Sequence, residues 1–152
     1  MENNFLITLF LSFMCASALA AEPVSTGRFN NTAVNGHSVI AYHNLSLGDK
    51  AAKGVKVYSM EWKGANWYFV SEVERERFKA NPGTYAPAYN GFCANALSLG
   101  EGLIRTSGKH WAVFDDQLYL FYAARGAKRW LNGNYKDYKV VSDREWAVIL
   151  EK

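Results

Sequence analysis

Four side chains in this sequence could bind a metal or run nucleophilic chemistry: Cys93, His37, His43 and His110. A thiolate joined by imidazoles suits copper or zinc. A thiol with a histidine base is the minimal apparatus of a cysteine enzyme. The spacing offers no C-x-x-C, H-x-H or H-x-x-x-H, so any convergence must come from the fold. No oxyanion-loop signature accompanies Cys93, which favours a binding protein over an enzyme. Inert burial is the competing role for Cys93, since free cysteine is among the most buried residue types. The adjacent pair Asp115-Asp116 has the look of a catalytic dyad, but neighbouring residues in a tight turn diverge, and both read as turn formers.

Aromatic side chains supply a second possibility. Tyr42, Tyr85, Tyr89, Trp111 and Tyr122 could line a pocket beside Cys93 for a small ligand. They could equally serve a protein-interaction module that holds no metal. Core packing is the alternative for each of them. Cys93 stands in the stretch Pro82-Gly83-Thr84-Tyr85-Ala86-Pro87-Ala88-Tyr89-Asn90-Gly91-Phe92-Cys93-Ala94, whose prolines and glycines describe a loop and whose aromatics want burial.

The elements that must position these residues follow from periodicity. Gly36–Tyr42 is a short apolar run and reads as a first strand. Leu45–Gly54 reads as an exposed connection. In Val57–Trp62 the alternation places Tyr58, Met60 and Trp62 on one face, a turn follows at Lys63-Gly64-Ala65-Asn66, and Trp67–Val70 returns. Ser71-Glu72-Val73-Glu74 is a capping box that starts a helix to about Ala80, with Val73 and Phe78 inward. Gly91–Leu99 has helical spacing with Cys93 in the first turn, where the helix dipole favours an anion. Trp111–Phe114 and Gln117–Tyr122 form a second hairpin. Ala123–Leu131 is a helix with Trp130 inward, and Ser142-Asp143-Arg144-Glu145 is a second capping box opening a final helix through Leu150. The sum is a small single α+β domain: two β-hairpins forming an antiparallel sheet, packed by three or four helices.

The beginning of the chain reads differently. Phe5–Met14 is an apolar run followed by Ala18-Leu19-Ala20, so residues 1–20 read as a cleaved signal peptide. Export, with the periplasm as destination, follows, and no membrane attachment is expected of the mature form. Residues 21–34 are a polar lead-in. Removing Cys15 with the signal leaves Cys93 as the sole thiol. A net charge of +3 without a basic run argues against a nucleic-acid partner.

The ordered blocks resemble the YHS domain proteins, in their exported bacterial branch. The resemblance is carried by Gly36–His43, Trp62–Ser71, Phe78, Pro82, Tyr85–Ala94, Trp111–Tyr122 and Trp130, and it places a YHS-like domain over residues 35–152. YHS domains in copper-transporting ATPases and related proteins bind soft metals through cysteines. The three positions that carry thiolates in that pattern are Ala41, Val70 and Glu74 here, and His37, Ser38 and Val39 replace a Tyr-Asp-Pro. Without those thiolates the family's cysteine site is absent from this chain; copper or zinc handling would need a rebuilt set, Cys93 joined by His43, His37 or His110.

Overall fold

The structure, a computed structural model, describes residues 21–152; the expected signal peptide lies outside the described residues. These hold five α-helices and two antiparallel two-stranded sheets, an α+β fold. Among the described residues no helix is long and apolar enough to cross a membrane.

The first hairpin joins β1 (Val55–Trp62) to β2 (Ala65–Phe69), pairing Met60 with Trp67 and Trp62 with Ala65. Its turn is Lys63-Gly64 alone, with φ of 50° and 71°. Two left-handed residues are what a two-residue hairpin needs to match the strand twist. Tyr58, Met60 and Trp62 pack against a first core, as the alternation predicts. Helix α1 (Glu72–Ala80) follows, and the Ser71 hydroxyl accepts the Glu74 N–H. The Glu74 carboxylate reaches the Val70 N–H instead of that of Ser71, and also accepts the Ser38 hydroxyl. Phe78 is buried among Trp62, Trp67 and Phe69. Val73, expected inward, is 64% exposed.

The helix expected over Gly91–Leu99 is much shorter. After α2 (Pro82–Tyr85) and a 3-10 turn at Ala88–Gly91, helix α3 spans only Ala94–Leu97, with Cys93 as its N-cap. The cause is local: Tyr89, Asn90 and Gly91 have φ of 56°, 49° and 86°, and a right-handed helix cannot run through them. Glycine is required at Gly91, because a side chain there would be strained and would press the Val34 Cγ2 at 3.3 Å.

The second hairpin is β3 (His110–Phe114) and β4 (Gln117–Phe121), closed by Asp115-Asp116 with φ of 48° and 61°. The two aspartates are turn formers. This hairpin divides the molecule. Trp111, Val113, Leu118 and Leu120 face the first core with Ile40, Tyr42 and Trp67, while Ala112, Tyr119 and Phe121 face a second core with Leu97 and Trp130. Both faces being buried explains why Leu118–Phe121 is continuously apolar.

The two hairpins do not join into one sheet. The open edge of β4 is taken by Cys93, bridged to Leu120, and that of β2 by Thr32, bridged to Asn66. Nor is Gly36–Tyr42 a strand. Val34-Asn35-Gly36 turns left-handed, His37 bridges Lys53, and Ala41–Asn44 is a 3-10 turn. Val39, Ile40 and Tyr42 are all buried, so a run that looks like a strand is a folded-in corner instead.

Helix α4 (Ala124–Asn132) packs on β3 and β4, and α5 (Tyr135–Leu150) packs on α3 and α4. Trp130 is fully buried. Helix α5 begins well before Ser142, which is no cap: it is buried, and its hydroxyl donates to the Ala94 carbonyl at 3.1 Å and that of Tyr138 at 2.9 Å. Arg129 fastens the helices, donating to Asn95 and Ser98 and lying 3.7 Å from the Tyr138 ring centroid. The lead-in is built into the fold: Ser25 donates its N–H to Asn90, and its hydroxyl accepts the Thr106 N–H.

Candidate functional site

A cleft of about 610 Å³ opens where three segments meet. One wall is Leu47–Ala51, in the connection before β1. The second is Gly108-Lys109-His110-Trp111, the entry to β3, with His37 beside it. The third is one face of α4, from Ala124 through Ala127 and Lys128 to Leu131. Spacings of three and seven put Ala124, Ala127 and Leu131 on one stripe, and the small side chains leave the space open.

The walls are held by specific bonds. The Trp111 indole N–H donates to the Asp49 carbonyl at 3.1 Å, tying β3 to the connection. The Tyr42 hydroxyl donates to the Gly108 carbonyl at 2.6 Å, and its ring meets Trp111 edge-on at 5.5 Å. A side chain at Gly108 would lie 2.6 Å from the His37 Nδ1 and 2.8 Å from the Tyr42 hydroxyl. Only glycine lets the loop come this close. Burial of Tyr42 raises its phenol well above the ordinary range, so it acts as a neutral donor.

The electrostatics of the cleft are one-sided. Lys50, Lys109 and Lys128 are exposed on its rim. Asp49 is the one acid among its lining residues, and its carboxylate accepts the Ser46 N–H at 3.0 Å. Among the described residues none of those lysines forms an ion pair. The Nδ1 of His37 lies 3.1 Å from the Val34 carbonyl; a carbonyl only accepts, so Nδ1 carries the hydrogen. Burial first, then Lys53 and Lys109, lower the proton affinity of His37.

The expected site residues are dispersed by this arrangement. His37 and His110 both line the cleft. His43 does not; its ring stands edge-on to Tyr85 at 5.7 Å, with Nε2 buried and unpartnered. Cys93 is 4% exposed in the second core, and its sulfur accepts the Tyr122 N–H at 3.2 Å. Among the described residues no three His, Cys, Asp or Glu side chains gather to hold a metal. Of the five aromatics, Trp111 lines the cleft and Tyr42 backs it. Tyr89 is buried in the second core, its hydroxyl donating to Asp143 at 2.9 Å. Tyr85 packs against the first core, and Tyr122 is exposed. They do not enclose one space around Cys93.

Sequence reasoning missed Leu47, Lys109 and the α4 stripe. The readable signal was the small-residue spacing of Ala124 and Ala127 beside Lys128; the sequence places Arg125, Lys128 and Arg129 outward on this helix, and Arg129 instead turns onto Asn95, Ser98 and Tyr138. No family model, curated protein or solved structure matches this chain.

Proposed function

We propose that this chain is an exported YHS-like domain that binds a small organic molecule in the cleft walled by Leu47–Ala51, Gly108–Trp111 and α4. The observation that carries this reading is the cleft itself. Its volume of about 610 Å³ falls in the range of small-molecule sites, about 300–1,000 Å³, and it pairs apolar walls with a few polar groups. The family reading rests on the sequence blocks alone. Soft-metal handling draws on one observation, that His37 and His110 share the cleft. The thiol it would need is shut in the second core.

The test is a small-fragment screen on the purified protein, read by NMR at the Trp111 indole and the Gly108 amide. Fragments that shift these signals before all others are the expected result. Fragments that bind only elsewhere, or not at all, would reject the site. Zinc(II) and copper(I) are titrated alongside. Stoichiometric metal binding that perturbs His37 and His110 would replace the small-molecule reading with the metal one.

A further inference from the structure

We infer that the occupant of the cleft is an apolar organic carboxylate, its hydrocarbon body lying against Trp111 and Leu131 and its charge at the lysine rim; this rests on the cleft being a ligand site. Two independent features of the walls point to this class. The body of the cleft is apolar: Leu47 is 61% exposed and Leu131 38% exposed, which is a cost in water unless something covers them. The mouth is net cationic, with Lys50, Lys109 and Lys128 outnumbering Asp49. Lys109 and Lys128 come from different segments, neither has a carboxylate partner among the described residues, and the one lining acid is engaged by the Ser46 N–H.

The neighbourhood beyond the rim has the same sign. Lys53 is held below the ordinary lysine range, by burial first and then by Lys109. Positive charges crowded together repel, and an anion among them relieves that repulsion. A neutral apolar molecule would satisfy the walls and leave the rim unpaired. A multiply charged polar anion would satisfy the rim and leave Leu47 and Leu131 wet. One carboxylate on a hydrocarbon body satisfies both.

The experiment compares matched pairs that differ only in charge: 2-naphthoate with 2-naphthamide, and octanoate with octanamide. Calorimetry on the purified protein gives the affinities, and the Trp111 indole signal gives the location. The expected result is that at least one acid binds in the cleft about tenfold tighter than its amide, the size of one charge-assisted hydrogen bond. That preference should disappear in the double variant Lys109→Gln, Lys128→Gln and shrink as ionic strength rises to about 0.5 M. Both lysines are exposed, so the variant retains the fold. Equal binding of acid and amide, or a preference for the amide, overturns the anion inference and leaves the ligand site standing. Absence of binding by all four compounds overturns the carboxylate inference, and the fragment screen decides the ligand site separately.

Discussion

The Tyr85–Ala94 segment and the cleft at Trp111 contain similar materials and reach opposite states. Each combines aromatics, a glycine forced by close approach, and a titratable or nucleophilic group. In the segment, β4 lies alongside Cys93 and α5 covers Tyr89 and Phe92, so the thiol is shut in. At the cleft, the facing side chains are Ala124 and Ala127, too small to close the gap, and His110 stays half-exposed with the buried His37 on the same wall. Residue type nominates chemistry, but the size of the neighbours decides whether anything can reach it.

The largest test of that contrast is at the closed side. Trp130 packs against Tyr119, Phe121, Phe114 and Tyr138. Trp130→Ala should lower stability by about 3–5 kcal/mol, read as a fall in the urea midpoint. A loss below about 1 kcal/mol would mean the second core is not the tight body described.

Cys93 comes next. Cys93→Ser places a hydroxyl among apolar groups at a cost of about 1–3 kcal/mol. In the unaltered protein, maleimide should label this thiol at the rate of global unfolding. Fast labelling under native conditions would break the comparison by making Cys93 accessible.

The histidines give a smaller effect of known sign. Burial lowers the proton affinity of His43 from its ordinary value of 6.5, with Asp116 opposing. The unfolded chain therefore takes up the proton first as pH falls, and stability present above pH 6.5 is lost as pH drops below it. Urea midpoints measured from pH 7.5 to 5 should decline, and His43→Phe should flatten that decline. His37, lowered in the same direction, keeps part of the slope in that variant.

The smallest effect is expected at the open side. Lys128→Ala should change stability by no more than about 0.5 kcal/mol, while weakening anion binding in the calorimetric assay. A large loss of stability would make Lys128 part of the scaffold and blur the distinction between the two regions.

The same contrast explains what could be read from the chain. Both hairpins were legible because Tyr58-Ser59-Met60-Glu61-Trp62 alternates and because Asp115-Asp116 is good turn chemistry. The Ser71 cap was legible because its partner is three residues away. Long-range decisions were not. Ser142-Asp143-Arg144-Glu145 carries a local signal for a helix start, but Tyr135, Tyr138, Ser142, Trp146 and Ile149 form one packed face, and tertiary contact extends the helix back past the signal. Likewise Gly36–Tyr42 has the composition of a strand without an edge to pair with. The cleft was hidden for the same reason: its three walls are far apart in sequence, and only Trp111, His37 and His110 had been singled out. That His37 and His110 converge while Cys93 does not could not be read from spacing.

Ser25 carries a consequence for the order in which the molecule is completed. Its hydroxyl is bound by the N–H of Thr106, 81 residues along, and its own N–H is bound by Asn90. A ribosome releases Ser25 long before either partner exists. Both local hairpin turns can close as soon as their strands emerge, whereas this end must wait and then close one of the longest loops in the chain. The amino-terminal segment therefore cannot lock before Asn90 and Thr106 have both been made.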